Sequence, residues 1–281
     1  MFSKVLYNAT YKNGNPGKLT EEHEQAEHHR FKKDFLFKNK QIPKDLYASR
    51  LIQHLLIIKA LETQLQNLSE DKSAVSPFFA LSYLDALWRT PGIENDLRQL
   101  GVNPDKIQEN EKAKTTKIYL DDINQFTPKI LLAHFLLHVA GFMHGGNIIQ
   151  SKYIRPSNQL TSYQITTDQY DFSTALSFLP DTEKNSVSGL FQNLMNQVNL
   201  IALNEDEYNE ILDQCKNIYK SMTGIYDDLC DMHSLQTKQT ASSYGFFSFT
   251  VVALLLFLKL IANVIDSMTN HISYDSGLSP K

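Results

Sequence analysis

The sequence predicts an all-α protein, a multi-helical domain followed by a C-terminal transmembrane helix. Three stretches carry that expectation. Asp45–Leu68 (DLYASRLIQHLLIIKALETQLQNL) repeats its apolar residues with helical period and has little turn chemistry. Glu205–Leu229 is amphipathic through Tyr208, Ile211, Leu212, Cys215, Ile218, Tyr219, Met222 and Tyr226. Tyr244–Ile265 (YGFFSFTVVALLLFLKLIANVI) is apolar except at Ser248, Thr250, Lys259 and Asn263, and a spanning helix needs roughly 20 such residues.

In chain order, Met1–Lys18 is polar, lacks the apolar core of a secretory signal and reads as a flexible leader. The helical domain runs from Leu19 to His233. It opens with a helix over Leu19–Phe37, where Thr20 is a plausible cap and Glu22 and Glu24 suit the positive end of the helix dipole. Leu19, Ala26, Phe31 and Phe35 form a weak stripe, with His23 on the face of Ala26. His28 and His29 adjoin Arg30, Lys32 and Lys33 and read as solvated. After Asp45–Leu68 comes Ser76–Leu87; Pro91-Gly92 breaks one helix and Gly101 ends another. Lys106–Asn124 is a charged, half-exposed helix closed by Phe126-Thr127-Pro128. Lys152–Asp181 is rich in Ser, Thr, Asn and Gln, and its YQITTDQYDF stretch reads as extended. Two helices, Thr182–Leu203 and Glu205–Leu229, meet near Asn204. Ser234–Ser243 is a polar linker, Tyr244–Ile265 the anchor and Asp266–Lys281 a polar tail, with the helical domain expected on the cytosolic side.

Composition removes several functions. A net charge of −4 over 281 residues leaves no nucleic-acid footprint. The two cysteines, Cys215 and Cys230, form neither a disulfide framework nor zinc spacing, which fits a reducing compartment. No phosphate loop, GxSxG elbow or HExxH is present.

The stretch that asks for an explanation is Ile130–Gln150 (ILLAHFLLHVAGFMHGGNIIQ). It is apolar, yet it holds His134, His138 and His144, and Gly141, Gly145 and Gly146. Glycine costs about 1 kcal/mol against alanine inside a helix. Gly141 and Gly145 share a face, so that face presents bare backbone. Either another helix packs there or a planar ligand such as a porphyrin lies on it, and Gly145-Gly146 permits a bend. His134 and His138 have a spacing that can place two imidazoles on one metal, but no acid accompanies them, and buried polar residues, or one of the two facing out, are the favoured reading.

His23-x-x-Ala26-Glu27, Ala60-Leu61-Glu62, Leu87-x-Arg89, Glu94-x-Asp96-Leu97, Ala133-His134 and Gly141-x-x-x-Gly145-Gly146 occur in an order and spacing that resemble the heme oxygenases, over Leu19–Leu229. The resemblance implies a helical fold with heme between two helices, His23 as the proximal iron ligand, Ala26 and Glu27 beside it, and the glycine helix over the other face. It also implies opening of the porphyrin to biliverdin, carbon monoxide and iron, using oxygen and electrons from a reductase. The tail anchor matches membrane-bound members.

Departures are specific. Where the family carries an aspartate that holds a distal water network, this chain has Phe142, which cannot accept or relay a hydrogen bond. His144 replaces a serine and, facing the heme, would either bind iron and block oxygen or restore a polar distal group; Asn147 replaces a glutamine. The helix containing FQNLMNQ lacks the cations that clamp the propionates, Pro16 and Thr20 stand at the earlier basic positions, and Lys18 is the candidate substitute. Three functions follow: a divergent heme oxygenase; a non-catalytic heme carrier or sensor, with His23 and His144 as paired axial ligands; and a heme-free pseudoenzyme serving as a membrane-attached interaction domain.

Overall fold

The computed structural model describes residues 1–15, 17–68, 72–179 and 186–235. Its main elements are α1 (Phe2–Thr10), α2 (Glu21–Glu27), α3 (Lys44–Asn67), α4 (Thr90–Gln99), α5 (Lys114–Ile123), α6 (Pro128–Ala140), α7 (Val187–Val198) and α8 (Glu205–Met232). The linker, the anchor expected at Tyr244–Ile265 and the tail lie outside the described residues, apart from Ser234 and Leu235. Among the described residues no helix is long and apolar enough to cross a membrane.

Two helices organise the rest. α3 packs against α4, α5 and α6, while α8 packs against α1, α2, α5 and α6. α3 and α6 are buried on most sides, so their apolar residues form no single stripe. α8 begins with reciprocal bonds. Asn204 Oδ1 accepts from the Glu207 N–H at 2.9 Å, and the Glu207 carboxylate accepts from the Asn204 N–H at 3.0 Å.

The first segment is not a leader. Phe2, Val5, Leu6 and Ala9 are buried along one face of α1, at the spacing of an amphipathic helix. Three bonds tie α1 to α8 and the turn before it: Ser3 N–H to Asn199 Oδ1 (2.8 Å), Asn8 Nδ2 to Tyr208 Oη (2.7 Å), and Thr10 Oγ1 with Tyr219 Oη (3.1 Å). The chain then doubles back, pairing Tyr11 with Leu19, so that Thr20 N–H reaches the Thr10 carbonyl at 3.0 Å. Thr20 does precede α2, but its hydroxyl donates to the Ala9 carbonyl at 2.9 Å rather than capping α2. α1 therefore sets the position of α2.

Pro91-Gly92 starts a helix rather than breaking one, since Pro91 occupies the first turn of α4, where its missing N–H costs nothing. Gly92 is required by close approach. A Cβ there would lie 2.7 Å from the Asp168 carbonyl oxygen. Gly101, at φ +80°, follows the end of α4 as read from the sequence. The motif residues of this region are structural. Glu62 on α3 accepts from the N–H groups of Arg89 and Thr90, and Arg89 donates to the Ala86, Leu87 and Asp171 carbonyls. Asp96, 1% exposed, accepts from Thr166 Oγ1 (2.6 Å) and from the N–H groups of Asp168 (3.0 Å) and Gln169 (3.1 Å). These bonds hold the loop read as extended, which instead makes a short helical turn at Asp168–Tyr170.

Candidate functional site

α6 does not stop at its glycines. It continues through a π-helical turn at Gly141–Gly145, a short α-turn at Gly146–Ile149 and a second π-turn at Gln150–Ile154. Such turns widen the helix and redirect what it presents. A Cβ built at Gly141 or Gly145 meets nothing within 4 Å. Both residues line a cavity of about 1720 Å³, whose walls also carry His23, Glu27, His54, Phe142 and His144. The bare backbone thus faces open space. Gly146 is different: a Cβ there would overlap the Tyr170 ring, so helix-to-side-chain packing, not the cavity, accounts for that glycine. Ala26 likewise is buried in the core and does not line the cavity.

His23 sits on the opposite element, half-buried at the cavity wall. Its ring stacks on Tyr219 of α8, with centroids 4.3 Å apart and planes 17° from parallel. Its Nδ1 lies 3.4 Å from the Thr10 carbonyl oxygen, a long contact that favours the Nδ1–H tautomer and leaves Nε2 as the free lone pair. Burial, opposed by nearby Glu27, lowers the His23 pKa and favours the neutral, ligating form. Glu27 pairs with Lys32 at 2.9 Å.

The other histidines divide cleanly. His134 Nδ1 and His138 Nε2 both meet the Tyr119 phenol, at 2.7 Å and 3.3 Å; His134 is buried, whereas His138 is half-buried and also lines the cavity. His144 lies edge-on to Phe191 of α7 at 4.7 Å, and burial pushes its pKa down to about 4. His29 is not solvated. Its Nε2 lies 3.1 Å from Asp227 Oδ1, and the ring leans on Tyr226, joining the end of α2 to α8. Phe142, 5% exposed, places its ring between those of His54 and Tyr170, each 6.0 Å away. Lys18 is absent from the cavity wall; Lys4 and Lys12, on α1 and the turn after it, are present. Sequence reading passed over those two lysines and also Arg50 and His54 of α3, where the only signal was a cation and an imidazole four residues apart in an apolar helix.

A histidine with a free Nε2 on one helix and side-chain-free backbone on another thus line one cavity of a helical protein. The chain belongs to the heme oxygenase family, whose model matches residues 18–228. Its fold is similar to that of heme oxygenase-2 from Synechocystis in complex with heme and NO, at 23% identity and a TM-score of 0.64, covering 82% of this chain and 85% of that one. Heme oxygenase from Leptospira interrogans aligns at 20% identity and a TM-score of 0.60, covering 80% and 98% of the respective chains. Heme oxygenase-1 from Synechocystis in complex with heme aligns at 20% and 0.60, covering 83% and 94%. No curated protein matches the chain.

Proposed function

We propose that this chain binds heme between α2 and the continuation of α6, with His23 as the iron ligand, and cleaves it to biliverdin, carbon monoxide and iron using oxygen and reductase electrons. The observation that carries the reading is the pairing, in one cavity, of His23 with the open faces of Gly141 and Gly145. The residues fit the group. Thr10 and Tyr219 hold the His23 ring in one orientation, and the two glycines let a flat ring lie against backbone. Apolar side chains such as Leu6, Phe191, Met195 and Met222 line the cavity. Lys4 and Lys12 supply positive charge for the carboxylates of the ligand in place of the missing cations on α7. Heme, when bound, supplies both the iron at which oxygen reacts and the ring that is opened.

Phe142 favours a second reading, a heme carrier or sensor, because it brings no hydrogen-bonding group to the glycine side. Product analysis separates the two. The heme-loaded protein, given a reductase and oxygen, is expected to lose its Soret band and accumulate biliverdin and carbon monoxide. A Soret band that persists through many reductive cycles would leave the carrier.

Attachment to a membrane through Tyr244–Ile265, with the helical domain on the cytosolic side, is part of the proposal, supported by the apolar length of that stretch. Deleting residues 244–281 should move the protein to the soluble fraction. Retention in salt-washed membranes after the deletion would refute the anchor.

A further inference from the structure

Arg50 and His54 lie one turn apart on α3, so their side chains leave the same face of that helix. Both line the cavity. Arg50 is 6% exposed, and its Nε and Nη1 have no hydrogen-bond partner among the described residues. Both ring nitrogens of His54 are buried and equally unpartnered. A buried donor left unmade costs its full desolvation, and a charged one costs more. Four such atoms side by side are exceptional in a folded protein. The leading electrostatic neighbours of Arg50 are the phenols of Tyr170, Tyr226 and Tyr47, none of which supplies a counter-charge at neutral pH. Burial, with Arg50 next to it, holds the His54 imidazole neutral, with one N–H to donate. The ring meets Phe142 edge-on at 6.0 Å, and Phe142 adjoins Gly141, which puts His54 on the glycine side of the cavity, while Arg50, one turn away, reaches the Tyr226 phenol of α8. His23 belongs to the other wall, built by α2 and α8.

We propose that Arg50 and His54 form a donor site for a small hydrogen-bond-accepting ligand, a diatomic or a cyanide-like anion, held at the open face of the heme iron. This rests on the heme reading above. Polarity absent at Phe142 on the glycine helix is supplied from α3 instead. His54 is then the primary donor, and Arg50 adds positive charge and a second donor.

The full chain is loaded with hemin and compared with His54→Leu, His54→Gln and Arg50→Met. Two signals are read: the C–O stretching frequency of the ferrous carbonyl form and the affinity of the ferric form for cyanide. His54→Leu should raise the C–O frequency and weaken cyanide binding by about tenfold, the effect of losing one hydrogen bond. His54→Gln, which keeps an N–H, should stay near the parent, and Arg50→Met should move both signals in the direction of His54→Leu. Normal hemin binding with both signals unchanged in His54→Leu and Arg50→Met would overturn the donor site alone. A low-spin ferric spectrum lost only in His54→Leu would also overturn it, since His54 would then ligate iron directly. Failure of the parent chain to bind hemin would overturn this inference and the heme reading together. Should His54→Leu fail to fold, Arg50→Met decides by the same two signals.

Discussion

Gly145→Leu should abolish heme binding and leave thermal unfolding unchanged or slightly higher, while Gly146→Leu should lower the unfolding temperature. The two glycines are adjacent, yet their surroundings differ completely. At Gly145 a Cβ meets nothing within 4 Å, so a leucine side chain projects into the cavity and takes the space of a flat ligand. Leucine is also the better helix former by roughly 0.5–1 kcal/mol, so the fold does not suffer. At Gly146 any side chain enters the Tyr170 ring, which packs in turn on Phe142. Overpacking of this kind costs about 1–3 kcal/mol. Hemin titration and circular-dichroism melts of the two variants check this directly. Undiminished heme binding by Gly145→Leu would mean that the bare face is not where the ligand lies.

Phe2→Ala should destabilise the protein by about 3–5 kcal/mol, the usual cost of removing a fully buried phenylalanine. Phe2 is 0% exposed, on the buried face of α1 with Val5, Leu6 and Ala9. Urea unfolding followed by far-ultraviolet circular dichroism should show the midpoint fall with little change in slope. Because α1 carries Thr10, whose carbonyl faces His23, weakened heme binding should accompany the loss. An unchanged midpoint would mean that α1 does not belong to the core.

What the sequence reveals follows how far each feature depends on local pattern. α3 and α8 are long and rich in apolar residues without turn chemistry, so they are read almost to their ends, whereas α6 is read only as part of the apolar run Ile130–Gln150. The glycine spacing puts Gly141 and Gly145 on one face because helical geometry alone does so, but whether a helix packs on that face or it stays open is decided by the fold. α1 escapes because it is only 9 residues long, without a side-chain cap, and its four buried positions sit among polar ones. Its helix exists because α8 covers it. Gly146 and Ala26 share the pattern of site residues but serve packing, a distinction made by Tyr170 and the core, both distant in sequence. His29 looks solvated beside three cations, and only the fold brings Asp227 to it. The two π-turns at Gly141–Gly145 and Gln150–Ile154, the second just before Pro156, have no distinct sequence pattern of their own. Arg50 and His54 were the hardest to read, since a helix pattern does not say that its interior face opens on a cavity.

The most direct test of the central claim is a hemin titration of the full chain, followed by visible absorbance, beside the same titration of His23→Ala. The parent should bind one hemin saturably with a defined Soret band, and His23→Ala should shift that band and weaken binding. Binding no stronger than that of an unrelated helical protein, or a Soret band indifferent to His23→Ala, would contradict the assignment of this cavity to heme and of His23 to its iron.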